Sequence, residues 1–155
     1  MSSRDGTSDH VSRRALRRQY RMSIASYIWA APNSLIGLSV VPIVALTHGR
    51  LEVVDGVLEV HGPFIARMLR RCVLMRGGAA AITFGHVVLG RDQQALSMTR
   101  AHERVHVRQY ELWGPAFIPV YLLASVWGLM TGSGAYYGNV FERAAMRVDR
   151  PDVAQ

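Results

Sequence analysis

Three residues within five positions can do chemistry together. The run His102-Glu103-Arg104-Val105-His106 is an H-E-x-x-H pattern. On an α-helix, residues i and i+4 lie one above the other, so His102 and His106 can both reach one ion. Two imidazole nitrogens suit Zn2+. Glu103 is rotated from their face yet stays near the ion's open position, where it can act as a general base on water. Zinc lowers the pKa of bound water to about 7, which makes hydroxide available at neutral pH. A third protein ligand is needed. The best-placed candidate is Glu142 in Asn139-Val140-Phe141-Glu142-Arg143-Ala144-Ala145, with 35 residues between it and His106. The same carboxylate has a second reading, because Asn139-x-x-Glu142 is also a capping box.

These residues need elements to hold them. Residues 80–89, AAITFGHVVL, are rich in β-branched side chains and predict a strand. Gly90-Arg91-Asp92 turns out of it, and a helix follows over Gln93–Trp113. Arg100, Arg104 and Arg108 recur every four residues on that helix and predict one solvent-facing stripe. Gln109 and Tyr110, a turn beyond the motif, either buttress the metal ligands or pack. His86 on an apolar strand reads first as a core histidine. His86 and the Tyr136-Tyr137 pair are also the candidates for a second-sphere or substrate contact. Asp149, seven residues after Glu142, lies outside the spacing expected of a supporting carboxylate. Trp113, Phe117, Tyr121 and Trp127 read as packing residues.

Upstream, residues 51–54 and 57–60 flank Asp55-Gly56, a strong signal for a two-residue hairpin turn. Residues 63–75 place Phe64, Ile65, Met68, Leu69 and Cys72 at helical spacing, with Arg67, Arg70 and Arg71 opposite.

Two stretches carry most of the apolar content. Residues 24–46 hold no charge and match a membrane span in length, with a basic flank that would keep the N-terminus cytoplasmic. The stretch is too long for a secretory h-region, and no A-x-A site follows it. Pro32-Asn33-Ser34 predicts a break, with a helix over about 35–46. Twelve helical residues rise only ~18 Å, against a hydrocarbon core of ~30 Å. Residues 115–130 form the second stretch. If that helix crossed a bilayer, Glu142 would emerge opposite His102, so a shared ion requires it to fold back.

The composition bounds the rest. A chain of 155 residues is one domain, expected over 22–150 between a disordered basic tail at 1–21 and a short tail at 151–155. Half of it is apolar, which excludes wholesale disorder. One cysteine excludes a disulfide framework and a cysteine-rich metal site. The net charge of +7 comes from eighteen arginines and no lysine, six of them within residues 1–21. Only Tyr20 interleaves that run, so no nucleic-acid partner is expected, and an anionic membrane surface is the better fit. A cytoplasmic protein is the alternative. The fold class expected is α+β, a small antiparallel sheet or hairpin packed on a helical bundle with apolar helices buried or membrane-associated.

ITFGHVVLGRD followed by TRAHERVHVRQYE resembles the core of the minimal gluzincin, zincin-like metallopeptidases, in which a T-x-G strand precedes A-H-E-x-x-H-V-x-Q. HERVHVRQYELWGPAFIPVYL with NVFERAA is similar to uncharacterised membrane-associated bacterial proteins. The resemblance covers residues 80–147. It implies His102, His106 and Glu142 as zinc ligands, Glu103 as general base, and residues 80–89 as an edge strand that pairs with a peptide or protein substrate. The other expectation is a non-enzymatic membrane-associated protein with a structural or degenerate metal site.

Overall fold

A computed structural model of the chain describes residues 23–72 and 78–149. The tails expected at 1–21 and 151–155, and the last residues of the helix expected over 63–75, lie outside that range. Asp55-Gly56 turns a hairpin between β1 (Arg50–Val54) and β2 (Val57–His61). Both turn residues have positive φ, 48° and 79°, as a type I′ turn requires. After β2, helix α3 (Pro63–Cys72) leads to a second hairpin. Here the expectation of one strand over 80–89 is corrected. The segment is β3 (Ala81–Phe84) and β4 (Val87–Gly90), turned at Gly85-His86. Gly85 takes φ 60°, and a Cβ there would sit 2.2 Å from Ser34 Oγ. The turn is hidden in the sequence because its flanks are apolar on both sides.

Strand order is β1-β2-β4-β3, with β2 and β4 parallel and the other pairs antiparallel. The protein is α+β as expected, but the sheet is mixed rather than antiparallel. One face packs Val60, Val87 and Leu89 on Val44 of α2 (Val41–Leu46) and on Ile65 and Leu69 of α3. The other packs Val57, Ala81 and Val88 on Leu96 and Val107 of α4 (Gln93–Trp113), the motif helix. Asp92 starts α4 by accepting a 2.7 Å bond from the Ala95 N–H.

The arginine stripe faces solvent at Arg108, whose side chain is 55% exposed, while Arg104 and in part Arg100 turn to the sheet. Arg100 donates two bonds of 2.9 Å to Glu59 of β2. Arg104 is buried and donates to Val54 O at 2.7 Å and to Glu59 at 3.2 Å. A carboxylate as buried as Glu59, 3% exposed, must be paired, and that requirement turns Arg100 and Arg104 inward.

Helix α1 (Ile24–Leu38) runs through Pro32, so the expected break there is also corrected, and the bend falls between Leu38 and Val41. Asn33 and Ser34 do not cap a new helix because both are engaged elsewhere. Asn33 Nδ2 donates to Gly114 O at 2.7 Å, and Ser34 Oγ accepts from the His86 N–H at 3.0 Å.

Gly114, with φ 53°, ends α4, and a 3-10 turn (Gly114–Ala116) leads into α5 (Phe117–Met130). The loop after α5 lies back against it. A Cβ on Gly128 or on Gly138 would come within 2.6 Å of Gly134 O. Asn139 Nδ2 donates to Tyr121 O and Ser125 Oγ of α5. Helix α6 (Val140–Asp149) then packs along α4. The segments Ile24–Leu46 and Gln93–Met130 are long and apolar enough to cross a membrane by length and composition. Their most apolar windows are 22% and 17% buried, whereas the core helix of a soluble protein is mostly buried.

Candidate metal centre

His102 and His106 sit one turn apart on α4, on the side that meets α6. The return of the chain through α5 brings Glu142 to them, and the buried His102, His106 and Glu142 can hold a metal ion. The two Nε2 atoms are 3.2 Å apart. Glu142 Oε1 lies 3.3 Å from His106 Nε2, and Oε2 lies 3.4 Å from His102 Nε2. Ligand atoms ~2.0–2.1 Å from a tetrahedrally coordinated zinc ion are ~3.3 Å from one another, so the spacing fits.

The partners behind the ligands set their tautomers. His102 Nδ1 is 2.8 Å from the Asp149 carboxylate, which only accepts, so Nδ1 carries a proton. His106 Nδ1 is 2.8 Å from Gln109 Oε1. Gln109 Nε2 donates to Phe141 O at 3.1 Å, which fixes the amide and makes His106 Nδ1 a donor too. Each Nε2 then points inward, where it can give a lone pair to an ion or, when protonated, donate to Glu142. Tyr121 donates a 2.6 Å bond to Glu142 Oε1, while the buried Oε2 has no hydrogen-bond partner. Three electron-rich atoms converge, one of them orphaned, and a cation resolves that arrangement.

The charge balance agrees. Burial alone would depress the His102 imidazolium, yet hydrogen bonds to Glu142 and Asp149 outweigh it and raise the pKa to about 9. His106 is raised against burial by its hydrogen bond to Glu142. Burial would raise the Glu142 carboxyl, but hydrogen bonds from His102 and His106 hold it well below the usual carboxylate range.

Glu103 faces β3. Thr83 Oγ1 donates to its Oε2 at 2.6 Å in a buried setting. Burial raises the Glu103 carboxyl, opposed by His106 and by the Thr83 bond. Tyr110 on the same helix donates to Thr83 O at 3.1 Å, so α4 is tied to β3 at two points on one residue.

The structure thus assembles His102, Glu103, His106, Glu142 and Gln109. It places His86 and Tyr137 apart from that cluster, whereas Tyr136 lies beside Glu142, where burial and that carboxylate hold its phenol protonated. His86 lies 3.3 Å from Glu111 and stacks on Tyr27 at 4.1 Å. Tyr137 is 73% exposed at the loop and meets Tyr136 edge-on. Asp149 corrects the expectation that its spacing was wrong. Two helical turns separate it from Glu142, so both lie on the face of α6 that meets α4. Tyr121 was read only as packing, yet it donates to Glu142, the candidate third ligand. Its one signal was a phenol on a long apolar helix, because a buried O–H must find an acceptor. The capping box is half present. Asn139 Oδ1 accepts from the Phe141 N–H at 2.9 Å, while Glu142 turns to the histidines instead of the helix start.

No family model, curated protein or solved structure matches this chain. The site therefore stands on its own geometry.

Proposed function

We propose that this chain is a membrane-associated, zinc-dependent metallopeptidase of the gluzincin kind. The observation that carries the reading is the convergence of His102 Nε2, His106 Nε2 and Glu142 beside a buried, Thr83-held Glu103. His102, His106 and Glu142 would hold the ion. Zinc there would supply Lewis acidity, polarising a carbonyl and making hydroxide available near neutral pH. Glu103 takes a proton from water at Oε1 and hands it to the leaving nitrogen. Thr83 keeps the Glu103 carboxylate aimed while this happens. Asp149 and Gln109 hold the two imidazoles in the tautomer that binds, and Tyr121 holds Glu142. One of the two edge strands of the sheet is β3, beside Glu103, which supports an extended peptide as substrate. The weakly buried α1 and α5 support a place at a membrane.

A second reading, a structural metal site without activity, is favoured by the burial of all three ligand side chains, 5–10% exposed. One experiment separates the two. Purified protein is assayed for bound zinc and for cleavage of an unstructured protein such as casein. The Glu103→Gln variant is expected to keep one equivalent of zinc and lose cleavage. Full cleavage by that variant would overturn the peptidase mechanism, and loss of zinc from neither His102→Ala nor His106→Ala would overturn the site.

A further inference from the structure

The sides of α1 and α5 that pack on no protein show how this chain meets a membrane. Helix α5 is apolar around its whole circumference. Phe117, Tyr121 and Gly128 face the protein, while Leu122, Leu123, Val126, Trp127, Leu129 and Met130 are 51–76% exposed. With 3.6 residues per turn these six fall within an arc of about 160°. Helix α1 repeats the pattern, burying Ala30, Asn33 and Gly37 and exposing Ile24, Ile28, Trp29, Leu35 and Ile36. A helix apolar all round is one whose whole circumference leaves water. Protein covers only part of each.

Charge, length and topology name what covers the rest. Residues 1–21 carry six arginines against Asp5 and Asp9, directly ahead of α1, and such a flank draws anionic headgroups. Helix α5 has 14 residues, a rise of ~21 Å against a ~30 Å hydrocarbon core. Its far end is Thr131-Gly132-Ser133, exposed and polar, whose backbone groups would be stranded in hydrocarbon if α5 stood upright. The chain also leaves the metal centre at Phe117 and is back by Asn139, bonded to Tyr121 and Ser125.

We infer that α1 and α5 lie flat in one leaflet of an anionic bilayer, apolar sides down, and hold the metal centre at the headgroup surface. A polypeptide reaching Glu103 is then one presented at that surface. This last step rests on the peptidase reading, whereas the bilayer contact does not.

The test uses the full-length, zinc-loaded protein and flotation with vesicles of phosphatidylcholine alone or mixed equally with phosphatidylglycerol. Capture by the anionic vesicles is expected, weakened by salt. The double variant Leu123→Asp/Trp127→Ser is expected to lower it about tenfold or more while keeping its zinc, since both side chains are exposed. In a Cys72→Ser background, an impermeant maleimide added outside is expected to label Ser133→Cys as fully as Ser8→Cys on vesicle-bound protein. Protection of Ser133→Cys alone would show a crossing helix and overturn the inference. Undiminished capture of the double variant would overturn it too. So would a dimer that the double variant abolishes, formed without any vesicle capture, because a second copy would then be what covers the face. Vesicle capture without bound zinc would support this inference while overturning the proposed function.

Discussion

Two buried polar clusters sit on opposite sides of α4, and they are built differently. On the sheet side, Arg100 and Arg104 share Glu59, so cations meet an anion supplied by the same chain. Glu52 and Asp55 lie near enough to add to the field at Arg100. On the α6 side, His102, His106 and Glu142 aim acceptors at one another and leave Glu142 Oε2 without a partner. The first cluster is closed by protein and clamps the helix to the β1–β2 hairpin. The second could be completed by a metal ion. A buried charged group is thus no sign of a site in itself; what distinguishes the two is that cations converge on an anion in the first, whereas groups able to ligate one ion converge in the second.

Substitutions on the two sides should separate accordingly. The largest effect is expected from His106→Ala, which removes one of three ligands and should weaken zinc binding on the order of a thousandfold in chelator competition. Glu59→Ala, on the opposite side, takes away the carboxylate both arginines share. It should destabilise the fold by about 3–5 kcal/mol in chemical denaturation while folded protein still binds one zinc. If Glu59→Ala instead abolished zinc binding in folded protein, the two clusters would be one functional unit. Next, Glu103→Gln should lower any hydrolysis by about a hundredfold to ten-thousandfold with zinc retained. Tyr121→Phe and Asp149→Asn act through ligands rather than on the ion. Each should weaken zinc about tenfold to a hundredfold, read by the same competition.

The smallest effect is one of pH. Because the His102 pKa is raised from 6.5 to about 9 in the metal-free protein, its contribution to stability is complete below 6.5 and is lost as pH rises toward 9. The metal-free melting temperature should fall across that window. Zinc affinity should rise across it, since the ion no longer competes with a proton at His102. A pH-independent zinc affinity between 6.5 and 9 would show that His102 is not a ligand.

The parts of the site that follow a helical repeat were legible in the residues. His102 and His106 are four apart, and the turn at Asp92 and the length of α4 follow from local signals. Glu142 could be named as a candidate because it falls on a short downstream helix that can pack against the motif helix. The parts that depend on which helix meets which were not legible. Asp149 is two turns from Glu142 on α6, but its meaning appears only once α6 lies along α4. Tyr121 is a lone phenol on an apolar helix until the return loop turns it toward Glu142. Arg100 and Arg104 looked solvent-facing with Arg108 because their spacing reports a shared face, not what that face meets. Glu59, 41 residues before Arg100, decided that. Pro32 sits within α1 for a related reason: the side chains that would have capped a new helix are held by Gly114 and His86 instead.

Sequence alone determined the chemistry on offer at α4, the hairpin at Asp55-Gly56 and the two apolar stretches. These depend on local backbone preference and on periodicity, both carried by neighbouring residues. Tertiary structure alone decided that the 80–89 segment doubles back, that the sheet is mixed, and that Glu142 meets the histidines. It also decided which buried charges the protein pairs by itself. Those outcomes depend on contacts between residues tens of positions apart, where burial forces each polar group to find a partner that its sequence neighbours do not reveal.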